Sequence, residues 1–482
     1  MRRLHDKPGR GLLIATVLAV ACALAFAGCK RDEVPRESLT DFPLAENPLE
    51  SWTQYAANET HDTFIGGAIG ELRYAGGLNE KPLFESFAKQ SGGMAAADGK
   101  IFVPNDRGRM LAVDALSGDV VWADKANLAS GRQFTSPTYH RGLVYCGTQP
   151  GDLICLDAKT GELVWNAGSE SAMKGVKTCP AFMGSRVVFV DIESRVFCLD
   201  ALSGVELWRF ETSGAETAIS DPVIAGDNAF FGTPAGSFYS VALGDGSVTF
   251  AQALSHSIEC SPCVVGDRVY FTGIDGGVYV TSNAGELTKL FTMSGRSNAV
   301  PLVHNNRIVV SDDDNKVYCL NAETGELLWQ VEVEGTPYGI AIGFDNAIVV
   351  FSSMNVAFDS LYLQLIKARG DLDDFIRRKG PFLAMTKADA TEYESLGKKE
   401  RESIGEPQPS PISDAELREL FSDGIKYLLA QHARLYVLSW DGRIVQESAL
   451  PTALKASPIL YDGKIYALDI NGYIHVFEIE TD

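Results

Sequence analysis

Leu156–Trp165 reads LDAKTGELVW, and the chain writes this phrase four times. The other copies are VDALSGDVVW (113–122), LDALSGVELW (199–208) and LNAETGELLW (320–329). In each, a glycine stands four places before a tryptophan: Gly118 and Trp122, Gly161 and Trp165, Gly204 and Trp208, Gly325 and Trp329. The first three tryptophans are 43 residues apart, and the fourth follows after 121, close to three steps of about 40. Two degenerate copies fill the gap, ALGDGSVTF ending at Phe250 and TSNAGELTKL ending at Leu290.

Each repeat also has an upstream half. Examples are SPTYHRGLVYCGT from Ser136, CPAFMGSRVVFVD from Cys179, SPCVVGDRVYFTG from Ser261 and SPILYDGKIYALD from Ser457. Their short β-branched and aromatic runs are bounded by Gly, Asp and Asn, which is how strands read. Proline at a strand's first residue is tolerated because its missing N–H lies outside the ladder. One repeat is therefore four short strands in about 40 residues, the unit of a β-propeller. The glycine supplies a positive φ in the turn before the last strand. The Asp or Asn four places earlier (Asp114, Asp157, Asp200, Asn321) can cap that turn through its side chain. The tryptophan ends the last strand and can pack between neighbouring sheets.

The A-x-[TS]-G-x-x-x-W pattern of these four copies resembles the repeat of the quinoprotein-like, PQQ-type propellers. The resemblance covers most of the chain and implies the fold more strongly than any activity.

Six repeats run from about Gly92 to Val333, and a further copy, LSWDGRIVQ, turns at Gly442. The last, from Ser457, stops at Asp482 where its final turn is due, so its fourth strand has to come from near the N-terminus, within Gly70–Ala88. This gives an all-β, eight-bladed propeller over 67–482, with seven or nine blades as alternatives, nine if Ser410 opens its own blade. The step from Gly325 to Gly442 exceeds one period by about 77 residues. The excess, 355–431, reads as a mostly helical, charged insertion. Leu361, Leu363, Leu365, Ile366, Phe375 and Ile376 fall at helical spacing, and Ser413 with Glu416 forms a capping box. It is either a surface elaboration or a docking element.

Residues 1–28 read as a secretory signal: a basic start (Arg2, Arg3, Lys7, Arg10), then the apolar run GLLIATVLAVACALAFAG. The ending AFAGC resembles a bacterial lipobox, with Phe26 where leucine is usual, which makes Cys29 the lipidated first residue of the mature chain. Lys30, in place of an aspartate, points to the outer membrane and a periplasm-facing protein. Residues 29–66 are polar and proline-bearing and read as a tether.

The formal net charge is −21, and loss of residues 1–28 would remove four basic residues and Asp6, three units more negative still. Such acidity excludes nucleic acid bound through its phosphates and suits protein partners with basic surfaces. Of nine cysteines, Cys22 leaves with the signal and Cys29 carries lipid, so the remaining seven cannot all pair internally. Cys155, Cys198 and Cys319 each stand ten places before a repeat tryptophan, where the first copy has Ala112, and read as core filling. Cys260-Ser-Pro-Cys263 lies at a strand start rather than opening a helix, so a redox role is not expected, and either an incidental pair or a local disulfide is left. Asp312–Asp314 reads as a solvated turn.

No nucleophile-elbow, zinc-protease or P-loop sequence appears, and the seven histidines (His5, His61, His140, His256, His304, His432, His475) form no metal spacing. A quinoprotein dehydrogenase would hold PQQ over the axis, with a pair of adjacent cysteines, a calcium ion and a catalytic aspartate. The chain has no Cys-Cys pair and no matching calcium or catalytic motif. The anchor, the tether and the eight-repeat ring are similar to the BamB-type lipoprotein propellers of the outer-membrane β-barrel assembly machinery. That likeness implies a scaffold without catalytic, cofactor or metal residues. It acts through protein partners, a β-barrel assembly complex among them, with a lipid anchor and no small-molecule substrate. The alternatives are a PQQ-dependent dehydrogenase-like quinoprotein and a binding module of another envelope complex.

Overall fold

A computed structural model describes residues 61–480 except 84–91, 125–132, 169–174, 213–219, 354–432 and isolated loop positions. Every described element is a strand. The strands form eight separate sheets, each built on four antiparallel strands. In blade three, for example, these are Ala181–Met183, Arg186–Val190, Arg195–Asp200 and Glu206–Glu211, hydrogen-bonded in that order. First strands of neighbouring blades touch one another, so they line the axis and fourth strands form the rim. The eight-bladed expectation holds. Ser410 and the whole 355–431 insertion lie outside the described residues, as do Cys29 and the signal segment.

Antiparallel order fixes two faces. Turns joining first to second and third to fourth strands lie at one end, here the turn face. Second-to-third turns and the links between blades lie at the other, the linker face. In blade seven the second strand, Ala347–Ser353, pairs with the third, Ala433–Ser439, Ser353 opposite Ala433. The segment 354–432 is therefore bracketed by strand ends on the linker face.

Blade eight has three strands from the C-terminal end, Ile459–Tyr461, Lys464–Leu468 and Ile474–Ile479, and its rim strand is Leu72–Gly77. This is the closure expected within Gly70–Ala88. It is clamped at both ends. Gln446 of blade seven bonds the Leu72 N–H (3.0 Å) and carbonyl (2.7 Å), while Asn79 donates to the Gly472 carbonyl and accepts from the Ile474 N–H.

The repeated motif makes the joint between blades. Each tryptophan lies within its rim strand, short of the end expected, because the strand runs one to three residues further. A β-bulge precedes it: Cys198 pairs with Trp208, but Leu199 pairs with Glu206, so Leu207 is skipped. The same slip occurs at Trp122, Trp165 and Trp329. A bulge re-aims the residue that follows it. Here it leaves the preceding apolar residues exposed, as at Val121, Leu207 and Leu328, and turns the indole toward the next blade.

There the indole N–H donates to a turn carbonyl: Trp122 to Ala158 (3.0 Å), Trp165 to Ala201 (3.0 Å), Trp208 to Leu243 (2.9 Å) and Trp329 to Trp440 (2.9 Å). The ring lies on the turn glycine of that next blade. A Cβ on Gly161 would stand 2.5 Å from Trp122, on Gly204 2.7 Å from Trp165, and on Gly442 2.7 Å from Trp329. At Gly118, where no tryptophan precedes, the closure strand's end fills the place: the Leu78 carbonyl would be 2.0 Å from a Cβ. At Gly325 the Leu290 carbonyl does the same at 2.2 Å. Beneath each indole the cross-strand neighbour is small: Ala112, Cys155, Cys198 and Cys319. Asp114, Asp157, Asp200 and Asn321 cap the turns, each through Oδ1 to the N–H three places on at 2.7–2.9 Å.

Candidate interaction faces and the axial channel

On the linker face, aspartates brace the second-to-third turns. Asp312 Oδ1 accepts from the Asp314 and Lys316 N–H groups, and Asp469 Oδ1 from those of Asn471 and Tyr473. The second oxygen reaches sideways. Asp312 Oδ2 meets the Tyr318 hydroxyl (2.8 Å) of its own blade, blade six (Leu302–Glu332), and the Gly295 N–H (2.9 Å) and Ser294 hydroxyl (3.2 Å) of the link from blade five (Cys263–Thr292). Asp469 Oδ2 takes His475 Nε2 (3.0 Å) and the Thr452 hydroxyl, and His475 Nδ1 meets the Tyr74 hydroxyl (2.9 Å). Burial pushes the Asp469 carboxyl up, but the bonds from His475, Thr452 and Tyr473 outweigh it and hold it below the usual range.

Blade five carries the variant Asp275, His256, Tyr279 and Lys289, with the Tyr279 hydroxyl 2.9 Å from both His256 Nε2 and Asp275 Oδ2. Burial raises Asp275, and the bonds from Lys289, Gly277 and Tyr279 bring it below the usual range. These clusters join turn to link and rigidify the face. Asp312 corrects the reading of 312–314 as a solvated turn: it is buried, and only Asp313 and Asp314 are exposed. Satisfying the turn's N–H groups is what draws its carboxylate in.

Around the linker end of the axis, residues that precede the first strands are hydrogen-bonded from blade to blade. The Gly93 N–H donates to Ser136 Oγ (2.7 Å), that of Cys179 to Asp221 Oδ1 (2.6 Å), and that of Asp221 to Ser261 Oγ (3.1 Å). Burial lifts the Asp221 carboxyl to about 6, against the bonds from Cys179 and Ser261. A raised carboxylate pKa means that the folded chain binds the proton more tightly than the unfolded one. Its stabilisation is full below the ordinary carboxylate range and is lost as pH rises to about 6, on the order of 3 kcal/mol in all. Asp221→Asn removes this titration. Urea midpoints measured from pH 4 to 7 are expected to fall more steeply for the parent than for the variant; parallel curves would count against the assignment.

All seven described cysteines are free and buried. Cys260 Sγ accepts from the Thr272 N–H (2.9 Å), and burial lifts its thiol to about 11. Burial likewise pushes Cys263 well above its ordinary value. Neither sulfur is a poised thiolate, and the local disulfide left open by the sequence does not form.

The axis itself holds a feature the repeats do not announce. His61–Gly67 runs along the inner edge of blade seven. In that blade's first strand, Ile342–Gly343, the Gly343 N–H donates to the Thr63 carbonyl (3.0 Å) and its carbonyl accepts from Ile65 (2.8 Å). Those groups point away from the second strand, hence toward the axis. The pairing is parallel, so this segment enters at the linker face and leaves at the turn face. The end of the stretch read as tether thus packs against the ring. His61 Nδ1 reaches the Pro262 carbonyl of blade five (2.8 Å), and burial lowers this imidazole to about 4, so it stays neutral and donates from Nδ1. The Phe64 ring stacks on His304 of blade six, centroids 3.3 Å apart and 5° from parallel, with Trp440 at 6.5 Å.

A quinone cofactor of the PQQ type, which the repeat implies over the axis, does not fit these residues. The chain's own segment pairs with the inner edge of blade seven and reaches Pro262 and His304 of the two blades before it. Among the described residues no three His, Cys, Asp or Glu side chains are grouped to hold a metal ion.

A closed ring of eight four-stranded blades, locked by this tryptophan–glycine joint, is a PQQ-type propeller. The family model described as outer membrane protein assembly factor BamB matches residues 52–146, 125–289 and 249–373, two thirds of the chain, and the protein belongs to that family. Among solved structures it is similar to BamB from Moraxella catarrhalis, at 16% identity over 86% of this chain and 99% of that one, with a TM-score of 0.56. It is also similar to the computationally designed Ika8 protein (13% identity, 84% and 100% covered, TM-score 0.56). A third is quinohemoprotein alcohol dehydrogenase from Comamonas testosteroni (10% identity, 89% and 80% covered, TM-score 0.56). At these identities the likeness is one of fold. No curated protein sequence matches.

Proposed function

We propose that the protein is a non-catalytic scaffold of the bacterial envelope. It is held by a lipid on Cys29 at the periplasmic side of the outer membrane and docks protein partners that assemble outer-membrane β-barrels. The observation that carries this reading is the family match over residues 52–373. It is supported by the ring itself, whose polar clusters on the linker face brace loops and whose blade-seven inner edge is paired with its own chain.

Affinity capture of the full-length, lipidated protein from mildly solubilised native membranes tests it. Barrel-assembly subunits are expected in the eluate. Enrichment of a different envelope complex would move the function to that pathway. The second reading, a PQQ-dependent dehydrogenase-like quinoprotein, has the fold shared with the alcohol dehydrogenase in its favour. Dye-linked alcohol oxidation after incubation with PQQ and calcium would reveal it, and no activity is expected.

A further inference from the structure

We propose that the axial edge of blade seven is a peptide-binding site, and that His61–Gly67 is its built-in, displaceable occupant. The site takes an extended segment with an aromatic side chain, supplied in trans by a protein partner. The occupant displays the chemistry. An inner strand edge offers one N–H and one carbonyl at Gly343, both used by the segment's backbone. Because these bonds use backbone groups alone, such an edge recognises any extended peptide. Specificity comes from the slot where Phe64 lies flat on His304 beside Trp440, with Arg307 above the Trp440 ring. Gly343 is part of the fit: a Cβ there would come within 3.0 Å of both the Phe64 ring and Leu302.

The strand pairing of the occupant is shorter than that of the closure strand. It is a single parallel bridge, with one further bond from the Asp345 N–H to the Gly67 carbonyl, whereas Leu72–Gly77 has five register partners. The Thr63 hydroxyl is fully buried and finds no partner among the described residues. A hydroxyl buried there without a partner opposes the seating of the segment. A partner segment carrying the aromatic residue and an apolar group at the position of Thr63 would compete well.

The proposal depends on the scaffold reading only for where the peptide comes from. Its test is separate from membrane capture. A fluorescein-labelled peptide with the sequence of residues 58–68 is titrated into the full-length parent and into a His61→Ala/Phe64→Ala variant, read by anisotropy. The variant is expected to bind at least tenfold more tightly than the parent, whose site is filled in cis. A peptide lacking the phenyl ring (Phe64→Ala in the peptide) should lose at least tenfold on the variant. Equal binding to both chains, no binding to a variant with the parent's melting transition, or indifference to the phenyl ring each overturns the proposal. If the variant does not fold, hydrogen exchange on the parent decides. The Ile65 and Gly343 amides should exchange at least tenfold faster than those of Ile348 and Val349, and equal protection would mean a permanent strand.

Discussion

Gly204→Ala is expected to lower stability by about 2–5 kcal/mol, far more than alanine costs at an open turn. Two effects add at this position. Gly204 has φ +69°, a conformation that costs an L-residue about 1–2 kcal/mol. Its new methyl would also sit 2.7 Å from Trp165 Cδ2 and 2.9 Å from Cε3, so the indole must move or the blade joint must open, at about 1–3 kcal/mol for an overpacked core. Gly184, in a first-to-second-strand turn, separates the two. Its φ is +60° and nothing lies within 4 Å of its Cβ position, so Gly184→Ala should cost only the backbone term. Urea midpoints at unchanged m-value give the comparison. Equal losses would mean that the indole yields freely and that the joint contributes little. In the pair Gly204→Ala/Trp165→Leu the two costs should be less than additive, because the clash is gone once the ring is.

This joint was legible in the sequence because it recurs. A glycine with two separate constraints, positive φ and a group packed on its face (a tryptophan ring at Gly161 and Gly204, a backbone carbonyl at Gly118 and Gly325), tolerates no substitute, so the G-x-x-x-W spacing survives four times in letters. The partner of each glycine was not legible, since the ring that covers Gly161 belongs to Trp122, 39 residues upstream, and not to Trp165. The bulge that turns the indole leaves only a faint mark, the paired apolar residues such as Val120-Val121 and Leu327-Leu328, which read equally well as core. Closure by an N-terminal strand followed from counting, because three strands at the C-terminal end leave an edge that has to be covered. The axial segment could not be counted. HDTFIGG occurs once, has no strand alternation, and owes its place to the free edge at Gly343 and to one aromatic ring. Trp440 stands where Ala158 and Ala201 stand in other copies, and its size there builds the slot for Phe64.

Arg73→Pro is expected to open the ring. The Leu72 N–H and carbonyl face Gln446 of blade seven, so by strand alternation those of Arg73 face the third strand of blade eight, opposite Glu478. Proline there removes a ladder donor from a strand paired along its length. The loss falls on the one blade whose rim strand is not held by a short turn to its neighbour, so the strand can leave entirely. The freed edge of Ile474–Ile479 would then be an unpaired template for another chain. Two readouts should change together. Hydrogen exchange at residues 474–479 should rise to that of exposed backbone, and size-exclusion profiles should gain concentration-dependent oligomers. Arg73→Ala is the control for charge. It removes the ion pairs with Glu478 and Glu480, which are solvent-exposed and worth no more than about 1 kcal/mol, and it leaves the ladder intact. If the proline variant kept the parent's exchange pattern in blade eight, closure would have to rest on the Asn79 and Gln446 clamps rather than on the strand, and proline substitution would leave the ring shut.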